Sequence, residues 1–386
     1  GWAFSKDALG GVTPIEYMAA DLKRPLRGRD FNHLAINTRS TESLKSPVEE
    51  LHKRLPAPSL GISTQTGQLQ RVSMPLLVSG LSDEPLAILR DALSPYGIAV
   101  MSGGGSSPNP VAQRAFEPGS AIAVDLVRGD VTMQSIGTVT AIDGNRVLAF
   151  GHPMLNAGET YFPVSTAEVT TFMPSLVSSF KFGHSLLPAG VLIQDRSAGI
   201  IADTTQAAQT LPMTISIFPV GQPSRVLKTE LARHKLLTPV LVSVVAVQAV
   251  SVVASDVADV TVQVDSTLKV TGYPPLRQTD YLFSSDGYSG KMLANSTGSR
   301  QLQELLSNPF GPIHVESLDL KVELLYRSQV ADVVSMSLPS DELEPGKTAM
   351  VRVALRPFGQ SLEYVTVPVE VPRALAGQTV KLEVQA

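Results

Sequence analysis

The chain contains no cysteine. That one absence excludes disulfides, thiolate metal sites and a cysteine nucleophile. Aromatic residues make up only 5%, too few for base-stacking platforms. Charged residues are 17% of the chain and the net charge is −4, with Lys and Arg scattered and no basic stripe. A nucleic-acid partner is therefore not expected. The six histidines (His33, His52, His152, His184, His234 and His314) never fall at i, i+3 or i, i+4 spacing, so no local zinc motif exists. Gly103-Gly104-Gly105 lacks the Lys-Ser/Thr of a phosphate loop, and no Gly-x-Ser-x-Gly elbow occurs. No metal or cofactor is called for.

Long apolar runs are equally scarce. Pro239 to Ala254 is nearly all apolar, but at about 16 residues it falls short of the roughly 20 a bilayer requires. It also contains Ser243, Gln248 and Ser251, and reads as a buried core helix with no membrane span. There is no initiating Met and no signal peptide: the chain opens on Gly1-Trp2-Ala3-Phe4-Ser5. That opening reads as a processed or trimmed end.

What is present points to a globular, mainly β protein of two or three domains. The 386 residues are 43% hydrophobic, and Val/Thr alternation is punctuated by 29 Gly and 28 Pro. Residues 23–67 are polar and carry Pro25, Pro47, Pro56 and Pro58, as an irregular crossing arm would. Ser82-Asp83-Glu84-Pro85 starts a helix with Leu86, Leu89 and Leu93 on one face, ending near Gly97. Ser102 to Pro108 has linker composition. From Pro118 strands dominate: Ala121–Val127, then Gly137–Ile142 and Arg146–Phe150 about an Asp143-Gly144 turn. Gly190–Gln194, Gly199–Ala202 and Met213–Val220 follow. After the apolar helix come strands at Val257–Val270 and His314–Tyr326, with a helix at Ser299–Leu306 between them. Beyond Val330 the alternation (Met350–Leu355, Tyr364–Val371, Thr379–Val384) suits a small β-sandwich.

Ser/His/Asp chemistry needs a base within hydrogen-bond reach of a nucleophile. His152, in Phe150-Gly151-His152-Pro153, leaves a strand into a rigid turn where a general base can be presented. A turn histidine bonded to backbone explains the same pattern. Ser197 is the serine set beside a charged pair and small residues, in Asp195-Arg196-Ser197-Ala198-Gly199. Its plainer reading is a strand end held by an Asp195–Arg196 pair, and Asp195 can equally orient a histidine.

Gly137-Thr138-Val139-Thr140 followed by Asp143-Gly144-Asn145-Arg146-Val147-Leu148-Ala149-Phe150-Gly151-His152-Pro153 resembles the signature of the SpoIVB peptidase family. Met74–Gly80, Pro174-Ser175 with Ser179-Phe180-Lys181, Gln194-Asp195-Arg196, Gly272–Leu276 and Asn308-Pro309-Phe310 resemble its exported branch. The likeness is spread over most of residues 1–330. It implies a serine endopeptidase acting on protein substrates in the cell envelope, exported to the periplasm or surface of a bacterium, with His152 as general base. It also implies a permuted trypsin-like double β-barrel (1–22 and 118–220). The arm, an inserted α/β segment and the Gly-rich linker (23–117) would follow, then a mixed α/β unit (221–328) and an Ig-like β-sandwich (329–386).

In that family the serine lies in a Gly-Met-Ser-Gly-Ser-Pro motif, which this sequence lacks; Met101-Ser102-Gly103-Gly104 has no following Ser-Pro. The resemblance places the nucleophile upstream of Gly1 and makes this chain inactive alone. An upstream peptide carrying the serine, or a partner strand, is expected to complete the barrel. A non-catalytic envelope interaction or scaffold module on the same fold is the alternative. Asp203 departs from the family, where a glycine or apolar residue follows Gly199-Ile200-Ile201.

Overall fold

A computed structural model describes residues 2–4, 9–11, 13–26, 46–55, 63–64, 67–68, 74–103, 115–173, 180–219, 221–252, 259–285, 293, 297–308, 310–311, 313–328, 330–340 and 342–381. The architecture is mainly β, dominated by a 13-stranded sheet. Most of the Gly-rich linker and much of the 23–67 arm lie outside the described residues, as do Pro174-Ser175, Ser179, His33 and residues 253–258.

The N-terminal part begins with a hairpin, β1 (Trp2–Phe4) and β2 (Leu9–Gly11), and helix α1 (Ile15–Leu22). Helix α2 (Pro47–Arg54) falls inside the stretch expected to be irregular. Its cause is local. Ser46 and Glu49 form a reciprocal capping box, Pro47 occupies the first turn, and Leu51 is buried. A two-residue pair, β3 (Ser63–Thr64) and β4 (Gly67–Gln68), precedes β5 (Met74–Ser79), α3 (Asp83–Leu93) and β6 (Ile98–Ser102). β5 and β6 are parallel and joined through α3, giving the α/β segment.

Six antiparallel strands follow: β7 (Ala121–Gly129), β8 (Thr132–Asp143), β9 (Arg146–Ala149), β10 (Gly158–Met173), β11 (Phe180–Arg196) and β12 (Gly199–Asp203). Their pairings run β7–β8–β9–β12–β11–β10 and return to β7, so the six form a ring. The β8–β9 loop is Gly144-Asn145, with Asp143 opposite Arg146, one residue later than the sequence suggests. Side-chain alternation sorts the ring into two faces. Val147, Ala149, Leu192, Ile200 and Ala202 join the main core. Leu148, Val191, Ile193 and Ile201 form a second cluster capped by Met18 of α1. The described residues of 1–22 thus add a helix against β12 and a separate two-stranded sheet, in which β1 pairs with β2 and, among the described residues, with no ring strand.

The sheet continues through β13 (Thr210–Phe218) and β14 (Arg225–Ala232), with β14 joined to β7. Helix α4 (Leu237–Ser251), β15 (Val260–Val270), β16 (Leu276–Ser284), helix α5 (Thr297–Leu306) and β17 (Val315–Leu325) complete this unit. β13, grouped by sequence with the barrel, lies between β14 and β17, pairing in parallel with the latter. α4 is buried from Leu237 to Val250. Its main neighbours are α3, α2, α5 and strands β13 and β14. No helix among the described residues is long and apolar enough to cross a membrane.

The C-terminal unit is one three-stranded antiparallel sheet, β18 (Ala331–Ser337), β19 (Thr348–Pro357) and β20 (Glu363–Glu370). The strand expected at Thr379–Val384 is not seen over residues 379–381, and 382–386 lie outside the described residues. A facing second sheet, which a sandwich requires, is not among the described residues.

Candidate functional site

The turn that carries His152 is built from the end of β9. Phe150 and Gly151 both adopt left-handed backbone, φ 71° and 72°. Glycine takes that conformation freely, but for phenylalanine it costs about 1 kcal/mol. Tertiary contacts offset the cost. The Phe150 ring lies over Gly137, where a Cβ would stand 2.1 Å from the ring. The Phe150 N–H donates to the Thr138 carbonyl at 3.0 Å. Two residues on, the half-buried His152 ring sits 5.6 Å from the Phe150 ring. Its Nδ1 is 2.9 Å from the Pro153 carbonyl oxygen. A carbonyl can only accept, so Nδ1 carries a proton in this contact, and in the neutral imidazole the lone pair is then on Nε2. That is the tautomer a general base requires.

Asp195, fully buried, sits beneath the same turn. Its carboxylate accepts the backbone N–H groups of Met154 (2.7 Å), Leu155 (2.7 Å) and Ala157 (3.2 Å). The expected Asp195–Arg196 pair is not formed. Adjacent strand residues point to opposite faces, and the Arg196 Nε donates instead to Gln194 Oε1 at 2.5 Å. Ser197 is exposed at the apex of the β11–β12 hairpin, where Arg196 is opposite Gly199.

The N-terminal segment runs directly onto this turn. The Thr13 hydroxyl donates to the Gly151 carbonyl at 2.6 Å. Met18 fills the space beside Gly199, where a Cβ would lie 2.7 Å from its terminal methyl. The Gln194 side-chain amide donates to the Asp21 carbonyl at 2.9 Å. Because Trp2 pairs with Gly11, the start of β1 is brought back to within two residues of Thr13 in the chain.

Two polar clusters in the strand ring escaped the sequence reading. The Lys181 ammonium donates to the Thr138 hydroxyl, on the residue whose carbonyl holds Phe150, and burial lowers the Lys181 pKa. Buried Asp125 accepts from Arg128 (2.6 Å) and Ser165 (2.7 Å), and also from Ser185. Apart from Arg128, these partners lie 40 to 60 residues apart in the chain, so no spacing rule finds them. Asp203, the departure from the family pattern, pairs with Arg146 across β9 and β12 at 3.0 Å. Burial pushes its pKa up, but hydrogen bonds from Thr205 and Gln206 and the Arg146 charge outweigh that and hold it below the usual range. Among the described residues no three His, Asp or Glu come together as a metal cluster.

No protein-family model matches the chain, and neither a curated protein nor a solved structure is found to match it.

Proposed function

We propose that this chain is the larger part of a serine endopeptidase-type protein of the SpoIVB family, acting on protein substrates in the bacterial cell envelope. On this reading the six-strand ring belongs to a permuted trypsin-like unit, and β18–β20 are one layer of an Ig-like sandwich. His152 is the general base, with the nucleophilic serine supplied from upstream of Gly1. Nε2 takes the hydroxyl proton as the serine attacks a peptide carbonyl and returns it to the leaving amine. The Pro153 carbonyl fixes the imidazole tautomer, a task usually given to a carboxylate.

The observation that carries this reading is the seating of Thr13 on Gly151, one residue from His152. It supports a path by which residues preceding β1 reach the imidazole. A second reading, a non-catalytic interaction or scaffold module, is favoured by the use of Asp195. Its carboxylate is engaged by three turn amides, as in a purely structural turn. Exposed Met350, Tyr364 and Val367 on β19 and β20 would suit such a surface.

The test is labelling by a serine-directed fluorophosphonate. A chain extended upstream through the serine motif is expected to react, His152→Ala to abolish the reaction, and the present chain to stay unlabelled. Labelling of the present chain at Ser197 would overturn the assignment of the nucleophile. Absence of labelling in a folded extended chain would favour the scaffold reading.

A further inference from the structure

A cavity of about 630 Å³ lies between the end of α2, the start of α4, α5 and the ends of β10 and β17, with Asn156, Ala157 and Gly158 of the stretch after His152 in its wall. Its size falls in the roughly 300–1,000 Å³ range of small-molecule sites. Two kinds of side chain share its wall. Leu211, Leu302, Leu306 and Ile313 give an aliphatic lining, whereas Arg54, Arg233, Lys235 and, on the rim, His314 give a basic one. Glu159 is the sole carboxylate among the described lining residues.

The basic groups are under-compensated. Arg233 spends its guanidinium on two neutral carbonyls, Thr210 O at 2.9 Å and Val315 O at 2.6 Å. Arg54 is paired with Glu50 through Nε at 2.6 Å, yet its Nη1 is buried with no hydrogen-bond partner among the described residues. Lys235 forms no hydrogen bond or ion pair with any described residue. Among the described residues, Arg54, Arg233 and Lys235 in the wall are met by Glu159 in the wall and by Glu50 paired with Arg54 outside it, which leaves one positive charge over. Half-buried cations without counter-ions are costly, and such groups gather where an anion binds.

We infer that this cavity binds a small amphiphilic carboxylate, its head held by Arg54 and Lys235 and its apolar body laid against Leu302, Leu306 and Ile313. The charge balance calls for a monoanion and the aliphatic wall for a hydrocarbon body. A bare inorganic ion would use only half of the site. The inference does not depend on whether His152 is catalytic.

The titration of the site agrees with this. Burial, and after it the Arg54 charge, hold Lys235 down to about 8. A bound carboxylate favours the ammonium, so binding takes up a proton, and affinity is full below about 8 and falls as pH rises through it. The groups facing Lys235 are Arg54 from α2, Glu159 and Tyr161 from β10, Arg233 and His234 beside it, and His314 before β17. Burial lowers the pKa of both histidines, so they are neutral in this range.

Calorimetric titration of the chain with decanoate, 1-decanol and decyltrimethylammonium tests the site. Decanoate is expected to bind, decanol to bind at least about tenfold more weakly, and the cation not to bind. Lys235→Met and Arg54→Met, with unchanged thermal denaturation, should each weaken decanoate about tenfold. The fall in affinity between pH 7 and 9.5 should disappear in Lys235→Met. If that variant does not fold, Arg54→Met and the wild-type pH series decide. Equal binding of decanol and decanoate, unchanged affinity in both variants, or no binding of decanoate at about 1 mM would overturn the inference.

Discussion

The Oδ1 atom of Asp195 accepts the backbone N–H of Met154 at 2.7 Å, two residues beyond His152. Three backbone amides converge on this one carboxylate, and those of buried Met154 and Leu155 would otherwise lack a partner. The His152 turn is thus fixed from below by an acid 43 residues further along the chain. The relationship separates two roles for the acid that the local sequence leaves mixed. Asp195 shapes the turn, and the imidazole is oriented by the Pro153 carbonyl.

Asp195→Asn should therefore destabilise the protein by about 3 kcal/mol, since charge-assisted bonds are lost and an amide N–H₂ is turned toward N–H donors. Thermal denaturation measures the loss. Hydrogen exchange at Met154, Leu155 and Ala157 should accelerate together. Unchanged protection at those three amides would exclude the carboxylate as their anchor.

His234 predicts an acid-sensitive step. Its Nδ1 accepts the N–H groups of Leu236 (3.3 Å) and Leu237 (3.1 Å), closing the first turn of α4. Burial, and after it the Lys235 charge, depress its pKa to about 4. The unfolded chain takes up this proton near pH 6.5 but the folded one only near 4. Stability from this group is full above about 6.5 and declines as pH falls to 4. The loss amounts to about 3 kcal/mol at ~1.4 kcal/mol per pH unit. In His234→Asn that component should vanish, so the gap between wild type and variant in denaturant midpoint narrows on acidification. A gap that stays constant from pH 7 to 4 would count against a neutral acceptor.

Val244 tests α4 as the centre of its unit. It is fully buried, with packing on every side of the helix. Val244→Asp places a carboxylate where no partner is available and should cost several kcal/mol, enough to unfold this region. Val226→Asp, at a valine 54% exposed, should stay within about 0.5 kcal/mol of wild type. Comparable melting temperatures for the two variants would show that α4 is not a core helix.

The element types were legible wherever chemistry was local. The apolar 3.6-residue pattern after Ser82 marked α3, and alternation marked β7, β15 and β17, because amphipathicity acts over a few residues; the Ser82 hydroxyl itself caps nothing and donates to Gln248 at 3.0 Å. The two longest strands were not recovered. Only Gly190–Gln194 of β11 was read, and β10 not at all. Gly183, Pro163 and Pro188 interrupt their pattern, and register shifts bend the hairpin. Helix α2 was missed because the four prolines of the 23–67 stretch, only one of them in the helix, hid the Ser46–Glu49 capping box. The burial of α4 follows from its unbroken apolar run, but the strands nearest it in the chain, β15 and β17, are not what mainly covers it. Its main neighbours are instead α2, α3, α5, β13 and β14. Apolar faces do not encode which partner they meet.

By itself the sequence determined the β class, the hydrophobic helix and the singling out of His152, all of which follow from composition, period and turn chemistry within a short window. It also placed Arg233, His234 and Lys235 at the start of α4, against the helix dipole. Only the tertiary structure resolved that conflict. It turned His234 into a neutral acceptor, left Lys235 beside a cavity, and brought Asp195 under the His152 turn. Each of these depends on groups far apart in the chain sharing one low-dielectric space. Burial and partner geometry are set there by packing across the whole sheet, so no local pattern can report them.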